Sequence, residues 1–375
     1  MLTHLDDYPI HQTPEPVAHP ATGDRNFYDR YFFQGYTREA DLFFAVALGL
    51  YPNRRVMDAA FSVVRGGRQL TVRGSRLAPL ERTETRVGPI SVEVIEPLRR
   101  LRVRVDENAH GVSADLLFEA RTQAIEEPRF THRVDGRVVM DSTRLTQFGV
   151  WTGTLSCDSE RIAIDPVRVL GARDRSWGVR PVGERDGAGP PAPLPQFFWL
   201  WAPLQFDDLC THFDVNEDAS GRPWHAFGAV VPAAPPGATA LPAPALETMS
   251  SVAHRVRWQP GTRRAQDATL DLRPLQGSPL AIALEPILTF QMLGIGYLHP
   301  SWGHGVWKGE HVVDGERWTL ADLAPMAPQH LHVQALCRAT LTGDGRTREG
   351  IGVLEQLVIG PHSPSGFREI LDPAR

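Results

Sequence analysis

The chain is short of cysteine, of long apolar runs and of surplus charge, and each shortage removes a class of function. Its three cysteines, Cys157, Cys210 and Cys337, are far apart, odd in number and outside any C-x-x-C pair. They suit neither a disulfide framework nor a cysteine zinc site, and they fit buried thiols in a reducing compartment. The most apolar stretch, Leu42 to Leu50, is too short to span a bilayer, so no integral membrane segment is expected. The opening MLTHLDDYPIHQTPEP is polar and acidic with no apolar core, unlike a secretory signal, and the expected location is cytoplasmic. Lys and Arg total 39 against 44 Asp and Glu, and the net charge of −5 leaves no footprint for nucleic acid. There is no G-x-S-x-G elbow, no P-loop and no dinucleotide fingerprint, so no cofactor is expected.

What is abundant is punctuation. Thirty-three glycines and 32 prolines leave little room for long helices. Between them lie short alternating or β-branched runs: Leu42 to Leu50, Val56 to Val64, Gln69 to Val72, Ile90 to Ile95, Leu101 to Val105, Ala114 to Ala120 and Arg137 to Met140. The second half repeats the style in Phe197 to Trp201, Thr211 to Val215, His254 to Trp258, Thr269 to Leu272, Leu331 to Leu336 and Gly352 to Ile359. Gly66-Gly67 reads as a hairpin turn. Many short strands at regular spacing predict an all-β fold of closed antiparallel barrels or sandwiches.

At 375 residues and 42% hydrophobic, the chain can fill two cores. The Gly/Pro-rich stretch 187–195 marks the expected boundary, giving an N-terminal arm (1–25), a first unit (26–186) and a second unit (196–375). Val231 to Ala245 reads as a long loop. Ser-Trp-Gly occurs at Ser176-Trp177-Gly178 and again at Ser301-Trp302-Gly303, which with the shared strand style supports a duplication.

Three constellations could carry chemistry. In Arg173-Asp174-Arg175-Ser176-Trp177-Gly178-Val179-Arg180, strand alternation puts Arg173, Arg175 and Trp177 on one face and Asp174 and Ser176 on the other. This is either a charged pocket floor, with Trp177 stacking on a ligand, or an ion-pair network that closes a barrel. The segment from Tyr297 to His311 gathers His299, His304, His311, Trp302, Trp307 and Glu310. The histidine spacings of five and seven match no standard metal pattern, so no metal is expected, and His299 or His304 is available as an acid or base. His330-Leu-His332 is read as a structural or exposed pair on a strand. In Phe197-Phe198-Trp199-Leu200-Trp201, alternate aromatics line one strand face, as core or as a ligand wall. Asp207-Asp208 follows Phe206 as a turn, or as a carboxyl raised by an apolar cavity.

The strand set, the R-D-R-S-W-G element and the later Y-L-H-P-S-W-G-H-G-V-W-K-G-E element resemble the tandem lipocalin-like proteins grouped around AttH-like proteins and carotenoid 1,2-hydratase (hydroxyneurosporene synthase). The resemblance runs from about Asn26 to Ile370. It implies two calycin-like barrels in tandem with an apolar pocket within or between them. It also implies a range of activities, from hydratases of isoprenoid double bonds and pericyclic cyclases of polyketide-like substrates to non-enzymatic members. The family's His-x-Trp element falls on Arg175-Ser176-Trp177 and its Tyr-x-Asp element on Phe206-Asp207-Asp208, so the Trp and Asp match while the His and Tyr do not. The expected function is a cofactor-independent lyase or isomerase acting on an isoprenoid, steroid or polyketide-like molecule. Asp208 or Asp174 would be its acid, and His299 or His304 would position water. The expected ligand contacts are Arg173, Arg175, Trp177, Arg180, Trp199, Trp201, Phe206, Tyr297, Trp302 and Trp307. The alternative is a carrier of an apolar ligand.

Overall fold

Two-residue turns in the left-handed region set much of the topology. Gly66-Gly67, Asp135-Gly136 and Asp344-Gly345 all have positive φ, the geometry that matches the twist of paired strands and folds each flanking pair into a hairpin. The computed structural model describes residues 2–183, 195–238 and 240–375; most of the expected 187–195 linker lies outside them. Among the described residues no helix is long and apolar enough to cross a membrane.

The protein is all-β and built from two lipocalin-like antiparallel units. The second is a closed barrel of eight strands: Phe197–Gln205, Leu209–Glu217, Pro223–Pro232, Glu247–Trp258, Ala265–Pro274, Leu280–Gln291, Val333–Gly343 and Arg346–Ile359, the last pairing back onto the first. The first is a 14-stranded sheet, along which Arg68–Leu77, Val56–Arg65, Leu42–Tyr51, Phe27–Thr37, Val169–Val179, Arg137–Cys157, Val112–Ala120, Arg100–Val105, Ile90–Glu96 and Arg86–Val87 follow in hydrogen-bonded order.

This sheet curls without closing, which corrects the expectation of two closed barrels. Val87 comes within 3.1 Å of the Cβ position that Gly74 lacks, so the two ends touch. They do not pair, because Arg68–Leu77 gives its free edge to His311–Thr319 from the second half of the chain. That strand crosses the partition expected at the linker. Two strand bounds also shift. Arg137 to Met140 is the start of a 21-residue strand ending at Cys157, and the strand expected from Leu331 begins at Val333.

Alternation fills both interiors. Phe33, Phe44, Phe118 and Trp151 interlock edge to face inside the first sheet, with ring centroids 5.3–6.1 Å apart. Phe198, Leu200, Leu204, Phe213, Leu270 and Leu354 fill the second barrel. A third apolar cluster joins the units: Phe43 stacks on Phe290 at 4.9 Å and Phe32 meets Trp201 edge-on at 6.3 Å. The Trp199/Trp201 face therefore points out of its barrel, toward the first sheet.

Candidate active site

Register fixes which side chains look across that junction. Arg30 and Arg144 both lie opposite Ser176, and Phe32 and Thr146 both lie opposite Asp174, on three adjacent strands. Directly opposed residues of antiparallel strands share a face. Tyr28, Arg30, Phe32, Arg144, Thr146 and Asp174 therefore face the second barrel, while Arg173 and Arg175 turn into the first sheet. The opposite wall carries Trp199, Trp201, His212, Asp214, His225, His332 and Glu355.

The groups on these walls form a nearly continuous polar network. Arg144 donates to Glu127 (2.7 Å) and to Asp214 (3.0 Å), and its guanidinium lies 5.0 Å from the Trp199 ring and 5.6 Å from the Trp201 ring. Asp214 also meets His212 (3.0 Å) and His225 (2.9 Å). Burial alone would raise the Asp214 carboxyl, but the two imidazole hydrogen bonds outweigh it and hold it low. Glu355 accepts from Trp199 (3.1 Å) and Gln334 (2.6 Å) and meets His332 (2.8 Å); these bonds likewise overcome burial and keep it below the usual range. The Tyr297 ring packs 4.4 Å from both His332 and His304, and its hydroxyl accepts from Arg30 Nη1 at 2.6 Å.

Asp174 stands apart from these paired groups. It accepts no hydrogen bond among the described residues, and burial pushes its carboxyl up to about 6 in spite of the nearby Arg144 and Arg30. Yet Asp174 is not sealed: it is half-buried, with part of its surface open to solvent. It is an acid set on the face toward the second barrel that solvent still reaches. Asp58 is a second such acid, also raised to about 6 by burial, against a 2.6 Å bond from the Gly305 N–H and a 3.2 Å bond from Tyr51. It borders a recess of about 20 Å³ with Arg73, Trp302 and His304, room for about one water. Burial, followed by Arg30 and Arg180, holds His304 well below the usual histidine range, so its imidazole is neutral.

The expected residues divide between this junction and other places. Asp174, Arg180, Trp199, Trp201, Tyr297 and His304 come together there. Arg173 is buried and donates twice to Gln147 (2.9 and 2.7 Å), while Arg175 pairs with Asp29 and lies 4.2 Å over Tyr31. His299 bonds Glu316 (3.1 Å) and Trp302 bonds Asp314 (2.9 Å), both beside the His311–Thr319 strand. Trp177 and Trp307 are exposed at 39% and 47%. Phe206 packs in the second barrel's core. Asp208 does not face a cavity. The strand ends at Gln205, so Asp207 and Asp208 form a surface turn where Arg348 donates to Asp208 (3.0 Å) and holds its carboxyl low.

Glu127, His212 and Asp214 place three potential metal ligands close together, and Arg144 forks between their carboxylates and supplies positive charge at that point. A separate cavity of about 600 Å³ is lined by Arg65, Arg68, Asp41, Asp158 and Glu160, whose charges are paired with one another, and by Cys157; it holds none of the expected residues.

Arg30, Asp58, Glu127, Arg144, His212, Asp214 and Glu355 were not anticipated. The available signal was a charged or polar residue recurring on an otherwise buried strand face, as in Cys210, His212, Asp214 and Asn216, all buried on one side of Leu209–Glu217.

Solved structures share this fold. Kievitone hydratase from Nectria haematococca superposes with a TM-score of 0.52 at 12% identity, over 88% of each chain. An AttH protein from Nitrosomonas europaea gives 0.51 at 13% identity, over 93% of this chain and 98% of its own. CghA with Sch210972 gives 0.50 at 12% identity, over 89% of each chain. No curated protein sequence matches significantly. A family model matches residues 2–368, and the chain belongs to that family, a family of unknown function (DUF8625).

Proposed function

We propose that the junction between the two units is the active site of a cofactor-independent lyase or isomerase, with Asp174 as its acid. The supporting observation is the state of Asp174: a solvent-reached carboxyl, without a hydrogen bond among the described residues, raised to about 6 near the hydrogen-bonded carboxylates Glu127, Asp214 and Glu355. Such a group is a general acid matched to neutral pH, with about a tenth of it protonated at pH 7. In a hydration, Asp174 gives its proton to one carbon of a C=C bond while water adds through oxygen to the other. The proton lost by that water then returns to the carboxylate. The reverse is an elimination.

The surroundings bear on the substrate. Arg144 already occupies the indole faces of Trp199 and Trp201, so these rings do not offer themselves to a carbocation, and Arg30 and Arg144 oppose positive charge nearby. Developing negative charge on a carbonyl oxygen is favoured instead, as in water addition to a polyketide-like enone. The name of kievitone hydratase, a similar fold, accords with this class of chemistry. Tyr297, His332 and Glu355 are assigned to positioning. We keep the partition into arm (1–25), first unit (26–186) and second unit (196–375), and place the protein in the cytoplasm on its three buried free cysteines.

The test starts with native mass spectrometry of freshly purified protein to identify a retained molecule. Turnover of that compound and of polyketide-like enones is then followed in H₂¹⁸O. Wild type should incorporate the label and Asp174→Asn should not. Full incorporation by Asp174→Asn ends the assignment, and retention of a ligand with no product makes the protein a carrier.

A further inference from the structure

We infer that Arg30, Arg180 and Tyr297 form a subsite for a delocalised oxyanion, a carboxylate or an ionised enol, carried on an otherwise apolar ligand. The inference rests on reading the junction as a ligand site, but not on Asp174 being its acid.

The first ground is unmet bonding capacity. Arg30 is only 2% exposed, yet its Nε and Nη2 have no hydrogen-bond partner among the described residues. Its side-chain hydrogen-bond partner among the described residues is the Tyr297 hydroxyl, at 2.6 Å. Arg180 Nη2 is also buried and has no hydrogen-bond partner among the described residues, with its guanidinium 4.4 Å over Tyr28 and 5.9 Å from the Tyr297 ring. A guanidinium carries five donors, and burying them unpaired is costly, so an acceptor belongs in this space.

The second ground is charge. Arg30 and Arg180 repel one another across the same tyrosine, and no carboxylate among the described residues forms an ion pair with either. The acids within electrostatic reach form no ion pair with either: Asp58 is bonded by Gly305 and Tyr51, and Asp174, diagonal to Arg30 on the same sheet face, bonds neither guanidinium. The neutral imidazole of His304, 4.4 Å from Tyr297, adds no negative charge. Among the other arginines removed from solvent, Arg73 pairs with Glu316, Arg144 with Glu127 and Asp214, and Arg263 with Asp372, while Arg121 and Arg173 donate to neutral amide and carbonyl oxygens. Neither Arg30 nor the half-buried Arg180 has an ion-pair partner among the described residues, and the acceptor that would complete them is negative and planar enough to take a guanidinium fork.

The experiment compares isosteric pairs on the full chain by calorimetry and thermal shift at pH 8. Octanoate is set against octanamide for the carboxylate, and dimedone, ionised at this pH, against neutral cyclohexanone for the enolate. Wild type should bind at least one anion about tenfold or more tightly than its neutral counterpart, and the pair that responds identifies the source. Arg30→Gln and Arg180→Gln should each bring that preference close to parity. Arg180, being half-buried, serves as the second variant should Arg30→Gln fail to fold. Asp174→Asn should keep the preference even when turnover is lost, which separates this subsite from the catalytic reading. Equal binding of anion and neutral analogue by wild type, or an undiminished preference in Arg180→Gln, overturns the inference.

Discussion

Asp174→Asn should make the protein more stable at pH 8, and by an amount that depends on pH in a defined direction. The carboxyl titrates near 6 in the folded protein against 3.8 for the ordinary group, with burial as the main cause. Between these values the folded state holds a proton that the unfolded chain has released, so stability falls as pH rises through the window and levels off above about 6. At 1.36 kcal/mol per pH unit the difference is about 3 kcal/mol at full value, and about 2 once the solvent that reaches the carboxyl is allowed for. Asparagine has the same shape and never ionises. The variant should therefore gain about 2–3 kcal/mol at pH 8, while toward pH 3.5 the gain shrinks to less than about half a kcal/mol. Urea denaturation at both pH values measures this as a higher midpoint with an unchanged slope. A variant no more stable than wild type at pH 8, or one whose advantage is the same at both pH values, refutes the reasoning. The result matters for function because a gain in stability combined with a loss of turnover is the signature of a group held at a cost for chemistry.

Two further perturbations probe the frame. Glu217 accepts from His254 (3.0 Å) and His362 (2.8 Å), tying Glu247–Trp258 to the C-terminal segment, and these bonds hold its carboxyl at about 2 against the pull of burial. Glu217→Gln should cost about 2–3 kcal/mol at pH 7, with the gap to wild type closing as pH falls from 4.5 toward 2, seen in urea midpoints at pH 7 and 3. Phe43→Ala removes the ring stacked on Phe290 across the two units and should cost about 3–5 kcal/mol, with a red shift of tryptophan emission as the junction loosens.

The period-two patterns carried most of the fold. Leu42 to Leu50 and Ile90 to Ile95 are legible because alternation and β-branching are local properties, and the structure extends them by a residue at most. The open edge of the first sheet was not legible. It depends on His311–Thr319, whose run His311-Val-Val-Asp-Gly-Glu-Arg-Trp-Thr is largely polar and pairs across more than two hundred residues. The site divides along the same line. The face assignment of Asp174 against Arg173 and Arg175 follows from strand alternation and matches the register. The neighbours of Asp174, Phe32 and Thr146, come from strands far from it in sequence, whose adjacency no local pattern reveals. The His332 partner Glu355 lies within the Asp344-Gly345 hairpin, 23 positions on, so there the adjacency is local and only the pairing of the two side chains is not.

The polar junction is not what the fold requires. Each unit has its own apolar core of mixed aliphatic and aromatic side chains, and the apolar cluster of Phe32, Phe43, Trp201 and Phe290 already joins them. Placing Arg30, Arg144, Asp174, Asp214 and Glu355 beside that cluster removes charges from water, and such groups are often outperformed in stability by apolar residues of similar volume. Where the charges are fully bonded, as around Asp214, the cost is offset locally. Where they are not, as at Arg30 and Asp174, it is left standing in the resting protein. Such local deficits collect where a ligand completes the bonding, because donors and acids already satisfied by the protein have nothing left for a substrate. On the proposed reading, the unpaired groups are the ones left to meet a ligand, and the paired ones are its frame.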